Sequence, residues 1–262
     1  MGSGGDFRSR FSIPIERYRS AEASAQLSQL IRPFVLRRLK TDRSVITDLP
    51  EKIEMDEFTS LSPEQAVLYQ SVLQEMLPQF DRTSGIKRKG LVLAAITKLK
   101  QICDHPQLVT HDRQSLSDRS GKLSRLEELL EVILAEGDKV LIFTQFAQMG
   151  ILLKNHLQER FNQPVLILHG QIPQKARSAA VDQFQQENGP KIFVLSLKVG
   201  GVGLNLTAAN QIIHYDQWWN PAVQEQATDR AFRIGQKRNV QVRRFICKGT
   251  LEERIAELVQ HK

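Results

Sequence analysis

Cysteine is almost missing from this chain. Its two copies, Cys103 and Cys247, lie far apart, and neither sits in a C-x-x-C pair or near a histidine at zinc spacing. That excludes a disulfide framework and a structural zinc site, and leaves buried free thiols in a reducing compartment as the reading. No apolar run approaches the length of a membrane span. The start, Met1-Gly2-Ser3-Gly4-Gly5, reads as an expression scar rather than a signal peptide, so the expectation is a soluble intracellular protein whose chain begins inside a longer one. Also absent is any G-x-x-x-x-G-K-[ST] sequence. The nearest approach, Gly121-Lys122-Leu123, lacks the hydroxyl that binds magnesium, and no acidic D-E-x-x run follows a strand. Without a phosphate cradle or a metal-binding carboxylate, the chain cannot be a self-sufficient ATPase.

What is present is ordinary globular composition: 262 residues, 41% hydrophobic and 25% charged, enough for one sizeable core or one core plus an appendage. The formal charge of +7 leans toward an anionic partner, although such an excess is also common in proteins that bind no polyanion. Basic residues gather early, at Arg8, Arg10, Arg17, Arg19, Arg32, Arg37, Arg38, Lys40 and Arg43. This stretch fits either a solvated linker face or a segment that crosses between lobes or follows a phosphate backbone. Its apolar stripe, Leu27, Leu30, Ile31 and Phe34, is broken by Pro33.

Ser62-Pro63-Glu64-Gln65 is a helix start with a capping box, and the helix is expected to run through Met76. A second helix, Leu91 to Cys103, carries Leu91, Ala94, Ala95, Lys98, Leu99 and Ile102 at helical spacing and stops before Pro106. Asp81 to Gly85 and Lys87-Arg88-Lys89 read as a polar loop between them. After Gly121 apolar strands alternate with amphipathic helices, the pattern of a parallel α/β sheet covered on both faces. Five strands are expected: Val140 to Phe143, Val165 to Leu168, Ile192 to Leu195, Ile212 to Tyr215 and Val240 to Ile246. The division is a linker segment over 1–58, a helical protrusion over 59–120 and an α/β lobe over 121–262. Ligands of such sheets gather beyond the carboxyl ends of the strands, which gives weight to the loops starting at Thr144, His169, Ser196 and Asp216.

Two patterns there suit phosphate. The loop from Ser196 to Thr207 holds Gly200, Gly201 and Gly203 with Lys198 among them, so its backbone can approach an anion closely; tight strand-to-helix packing is the plainer explanation. Beyond an aromatic elbow, Trp218-Trp219-Asn220-Pro221, the run Gln226 to Gln236 carries Arg230 and Arg233 three residues apart, expected on one helical face. A planar, permanently charged guanidinium is the natural partner of a phosphate oxygen. His105 and His169 read as helix-end and strand-end hydrogen-bonding residues, Cys103 as buried apolar filler, and Leu251, Ile255, Leu258 and Val259 as the stripe of an amphipathic helix.

Taken in order, Pro33-Phe34-Val35-Leu36-Arg37-Arg38, Asp48-Leu49-Pro50-Glu51-Lys52, Leu99-Lys100-Gln101-Ile102-Cys103-Asp104-His105-Pro106, Lys139 to Phe146, Leu168-His169-Gly170, the glycine-rich loop, and Trp219-Asn220-Pro221 leading to Arg233-Ile234-Gly235-Gln236 closely resemble the C-terminal half of the Swi/Snf-type ATPases of helicase superfamily two. The resemblance implies a second RecA-like lobe carrying helicase motifs IV to VI, with a helical protrusion. It implies ATP bound with Mg2+ between two lobes, the phosphate loop and metal-binding acids coming from an N-terminal RecA-like lobe outside this chain, and no metal site here. Arg230 and Arg233 would be arginine fingers, with Gly203, Asn205, Gln226 and Asp229 at the nucleotide. Gln145, His169, Lys198, Gly200, Gly201 and Trp219 would face double-stranded DNA. The intact protein would be a DNA-dependent translocase, in the nucleoid or the nucleus, with regulatory proteins among its partners. A non-catalytic docking module and an RNA helicase lobe are the alternatives. One departure is Gln217-Trp218, where many relatives carry another pair, leaving Trp218 as an extra surface aromatic or as core.

Overall fold

The computed structural model describes residues 3–33, 49–196 and 204–260. The chain divides into two compact units, residues 1–48 and 49–262. In the first, α1 (Gly4–Phe7) passes through a wider π-helical turn, Arg8–Ser12, into α2 (Ile13–Tyr18). Arg19 in the left-handed region ends α2, and α3 (Ala21–Ile31) starts on Ser20, whose side chain accepts the Ala23 amide. The sequence motif from Phe34 to Asp48 lies outside the described residues.

The second unit opens on β1 (Lys52–Thr59), followed by α4 (Pro63–Asp81), α5 (Gly85–Asp104), α6 (Gln107–Thr110) and α7 (Gly121–Ala135). Then come β2 (Val140–Thr144), α8 (Ala147–Phe161), β3 (Val165–Leu168), α9 (Gln174–Gln185), β4 (Ile192–Ser196), β5 (Gln211–His214), α10 (Pro221–Thr228), β6 (Val240–Cys247) and α11 (Leu251–Gln260). The six strands form one parallel sheet in the order β1-β6-β5-β2-β4-β3. The α/β class read from the sequence is the one found, with one strand more than expected.

Alternation along the strands builds two cores. Val140 and Ile142 of β2 face Leu126, Leu130, Leu153 and Leu157 of α7 and α8, while Leu141 and Phe143 face Phe184 of α9 and Ala227, Ala231 and Phe232 around the end of α10. All residues of β2, β4 and β5 are buried, as a sheet covered on both sides requires. A third, smaller cluster joins Tyr69 and Val72 of α4 to Leu99, Ile102 and Cys103 of α5 and to Cys247 at the end of β6.

The structure corrects three expectations. Lys52–Thr59 is not linker but the edge strand β1, paired in parallel with β6. Its acids meet the arginines of that neighbour: Arg244 Nε lies 2.8 Å from Asp56, and Arg243 Nε 3.7 Å from Glu57. An edge strand of mixed charge carries no long apolar run, which is why composition assigned it to a linker. Second, α4 continues past Met76 to Asp81 although Pro78 lies inside it. Gln74 and Pro78 are both exposed, so the carbonyl that Pro78 cannot pair is left to solvent. Third, α5 begins at Gly85, so Lys87, Arg88 and Lys89 occupy its first turns rather than a loop.

The capping box at the start of α4 ties that helix to the start of α7. Ser62 Oγ accepts the Gln65 amide at 3.1 Å, and Gln65 Oε1 accepts the amides of Ser62 at 2.9 Å and Gly121 at 3.2 Å. Gly121 itself admits no side chain, since a Cβ there would lie 1.9 Å from the Ser60 carbonyl oxygen.

Candidate functional site

Because every strand runs the same way, the carboxyl ends of β2, β3, β4 and β5 open on one edge of the sheet. Gln145 follows β2, His169 follows β3, and Trp219 lies in the turn after β5. Asp216, fully buried, ties two of these loops together. Its Oδ2 accepts the Thr144 hydroxyl at 2.5 Å, and both of its oxygens lie 3.0 Å from the Gln145 amide nitrogen. The Gln145 side chain returns across the gap, its Nε2 donating to the Gln217 carbonyl at 3.4 Å. Of the two indoles, Trp218 packs against the second core, whereas Trp219 is 47% exposed. His169 is half-buried, and its carbonyl accepts the Ile172 amide at 3.1 Å. Lys198, Gly200, Gly201 and Gly203 lie outside the described residues.

Arg230 and Arg233 are not on a helical face. Helix α10 begins cleanly, with Asn220 accepting the Ala222 amide and Pro221 at the first position, but it ends at Thr228. The carbonyl of Arg230, which a continuing helix would give to the amide four residues on, instead accepts the Leu206 amide at 2.9 Å. The Ala231 carbonyl accepts Gln236 Nε2 at 3.3 Å. Tertiary hydrogen bonds and the burial of Ala231 and Phe232 in the second core override the helical pattern. The bond from Leu206 brings the segment holding exposed Asn205 beside the arginine turn.

The two guanidiniums remain neighbours in charge. Burial lowers the Arg230 pKa from its ordinary value, the positive charge of Arg233 lowers it further, and Asp229 opposes both. Arg233 is exposed and makes no ion pair among the described residues. Gln226 and Asp229 are exposed on the last turn of α10 and at its cap. Two like charges set together in one turn suit an anion that carries several charges.

Three residues of the site escaped the sequence reading. Gln236, 4% exposed, donates from Nε2 to the carbonyls of Thr207 at 3.1 Å and Ala209 at 2.7 Å as well as to Ala231, and its Oε1 accepts the Lys237 and Arg238 amides. One amide thus clamps the arginine turn to the end of the glycine-rich segment. His214, buried on β5, stacks on Phe143 and sets Nε2 3.0 Å from the Thr228 hydroxyl at the end of α10. Lys100, buried on α5, donates to the Gln217 carbonyl. The sequence signal for Lys100 was a lysine next to an apolar stripe; Lys98, which sat in that stripe, is half-buried and 3.8 Å from Glu75.

His105 proves to be a helix-end bonding residue, its Nε2 3.1 Å from the Leu116 carbonyl and its Nδ1 accepting the Gln107 amide. Cys103 and Cys247 are free and buried, and their sulfurs and a Glu252 carboxylate oxygen lie within 4.8 Å of one another. Glu252 already has its cation, since Lys122 Nζ is 2.7 Å from its Oε1, and its Oε2 accepts the Cys247 amide. The cluster is an internal ion pair beside two thiols. No helix among the described residues is long and apolar enough to cross a membrane.

Two family models match the chain, a helicase conserved C-terminal domain over residues 121–235 and an SNF2-related domain over residues 1–108. The C-terminal domain of the Sulfolobus solfataricus SWI2/SNF2 ATPase is 42% identical with a TM-score of 0.71, over 81% of this chain and 86% of that one. The core of the same ATPase, solved in complex with dsDNA, is 44% identical with a TM-score of 0.74 and covers all of this chain and 55% of its own. YwqA of Bacillus subtilis, named as an ATP-dependent helicase/translocase, is 47% identical across 100% of this chain. The chain spans only 28% of YwqA, and about a quarter of the length of other curated relatives.

Proposed function

Since the chain belongs to the SWI2/SNF2 ATPase family, with the RecA-like α/β fold of its C-terminal domain, we propose that it is the second lobe of a DNA-dependent ATPase that moves along double-stranded DNA. The observation that carries this reading is the arginine turn: Arg230 and Arg233 are held in one turn by buried Ala231 and Phe232, with the charge of Arg233 adding to burial in lowering the pKa of Arg230. Guanidiniums so placed neutralise charge on a transferring phosphoryl group, a contribution worth roughly 10³ to 10⁵ in rate. Asn205, Gln226 and Asp229, all exposed, are assigned to the nucleotide together with Gly203.

ATP and its Mg2+ are held mainly by an N-terminal RecA-like lobe, because this chain has no phosphate loop and no metal-binding acid pair. A ligand gripped from both sides favours the closed arrangement of two lobes, and hydrolysis releases it. The loops bearing Gln145, His169, Lys198, Gly200, Gly201 and Trp219 meet the phosphate backbone of the duplex. Such contacts position the lobe without reading sequence, so binding is salt-dependent and sequence-indifferent.

The test uses the longer protein that contains this chain. Duplex DNA is expected to stimulate ATP hydrolysis, Arg233→Ala to abolish turnover while filter binding of DNA persists, and this chain by itself to release no phosphate. Retained turnover in Arg233→Ala removes the finger assignment. Stimulation by RNA instead of DNA points to the RNA helicase alternative, and no hydrolysis in the longer protein to a docking module.

A further inference from the structure

Beneath the loops assigned to DNA lies a buried set of charges that the proposed ATPase reaction does not use. Lys100 extends from α5, in the helical region, and is 2% exposed. Its ammonium donates to the Gln217 carbonyl, the acceptor that Gln145 Nε2 also reaches, and lies 5.8 Å from the centre of the Trp219 ring. Burial lowers its pKa, and the carboxylates of Asp216, Asp104 and Glu252 oppose that while Lys122 reinforces it. Asp216 in turn receives the Thr144 hydroxyl and the Gln145 amide. One ammonium on a helix outside the sheet therefore touches the loop after β5, faces its indole, and balances the carboxylate that fixes the loop after β2.

We propose that Lys100 is a positioning residue, through which the helical protrusion sets Gln145 and Trp219 for contact with the DNA backbone. The inference rests on the motor reading above for its functional consequence, but the tie itself is a property of this chain. A buried ammonium with two loop partners is directional in a way that apolar packing is not, because its hydrogen bond fixes the Gln217 carbonyl at one point. Trp219 gains orientation from the same charge, since a cation near an indole face favours one setting of the ring. Without Lys100, Asp216 is a buried carboxylate short of a cation, and the two loops lose their shared anchor.

Two measurements test the tie separately from the motor. In a Trp218→Phe background, Trp219 is the only indole. Lys100→Met is expected to shift its emission to the red and to increase its quenching by acrylamide, and unchanged emission and quenching overturn the proposal. In the longer protein, Lys100→Met is expected to raise the DNA concentration for half-maximal ATPase stimulation about tenfold, the effect of losing one charge-assisted hydrogen bond, with KM for ATP unchanged. Adding Asp216→Asn removes the uncompensated carboxylate and is expected to restore the melting temperature while the DNA requirement stays raised. Recovery of the DNA requirement together with stability assigns Lys100 a merely structural role and overturns the proposal. Should the unsubstituted longer protein show no DNA-stimulated hydrolysis, the motor reading falls, and the Trp219 emission decides the positioning role alone.

Discussion

Lys122 Nζ stands 2.8 Å from Asp104 Oδ1 and 2.7 Å from Glu252 Oε1, and none of the three side chains is exposed. The lysine joins the start of α7, the end of α5 and the start of α11 at one point. Burial alone would pull its pKa down, but Asp104 and Glu252 more than reverse that, so it stays protonated. Removing one member of a buried ionic set leaves charge without a partner, which costs about 3–5 kcal/mol, whereas neutralising the whole set is often harmless. Lys122→Met is therefore expected to lower unfolding stability by that amount in urea titrations. Lys122→Met combined with Asp104→Asn and Glu252→Gln should recover most of it. A single variant as stable as the parent would show that the charges are already neutral.

Gln236 offers a sharper contrast between two substitutions. Its Nε2 faces three carbonyls, of Thr207, Ala209 and Ala231. Gln236→Ala leaves buried acceptors without their donor, at a cost of about 1–3 kcal/mol. Gln236→Glu keeps the shape but presents a second oxygen to the same carbonyls, so it is expected to be worse than alanine when unfolding is followed in denaturant at neutral pH. If glutamate is the milder change, the side chain does not act as a donor clamp on the arginine turn.

The sheet and its covering helices were legible because β2, β3 and β4 are apolar runs and β5 and β6 carry apolar cores between helical periods, and buried parallel strands leave that mark. β1 left no such mark. Its stability comes from pairing with β6 and from acids set against Arg243 and Arg244, a relation across 188 residues that no local window contains. The arginine turn shows the same limit at the site. Local spacing suggested a helical face, but the Arg230 carbonyl is taken by Leu206, and that partner is known only once the chain has folded. Lys100 was missed for a related reason: as a single charge in sequence it resembles a surface residue, and only its burial gives it a role.

His214 makes stability depend on mildly acidic pH. Burial lowers its pKa to about 4 from 6.5, with the Arg244 charge adding to the fall and Glu54 opposing it. Nε2 shares a hydrogen bond with Thr228, and the buried Nδ1 has no partner among the described residues, so a second proton there has no acceptor. The unfolded chain binds that proton more readily than the folded one. The contribution is thus complete above about pH 6.5 and is lost as pH falls toward about 4. Between pH 7.5 and 5 the loss from this residue is about 2 kcal/mol, at roughly 1.4 kcal/mol per pH unit below the unfolded pKa. His214→Gln keeps a donor near Thr228 and cannot be protonated, so urea unfolding of that variant is expected to lose about 2 kcal/mol less than the parent across this interval. Equal losses in the two proteins would mean that other groups carry the acid sensitivity and that His214 holds the end of α10 equally well in either charge state.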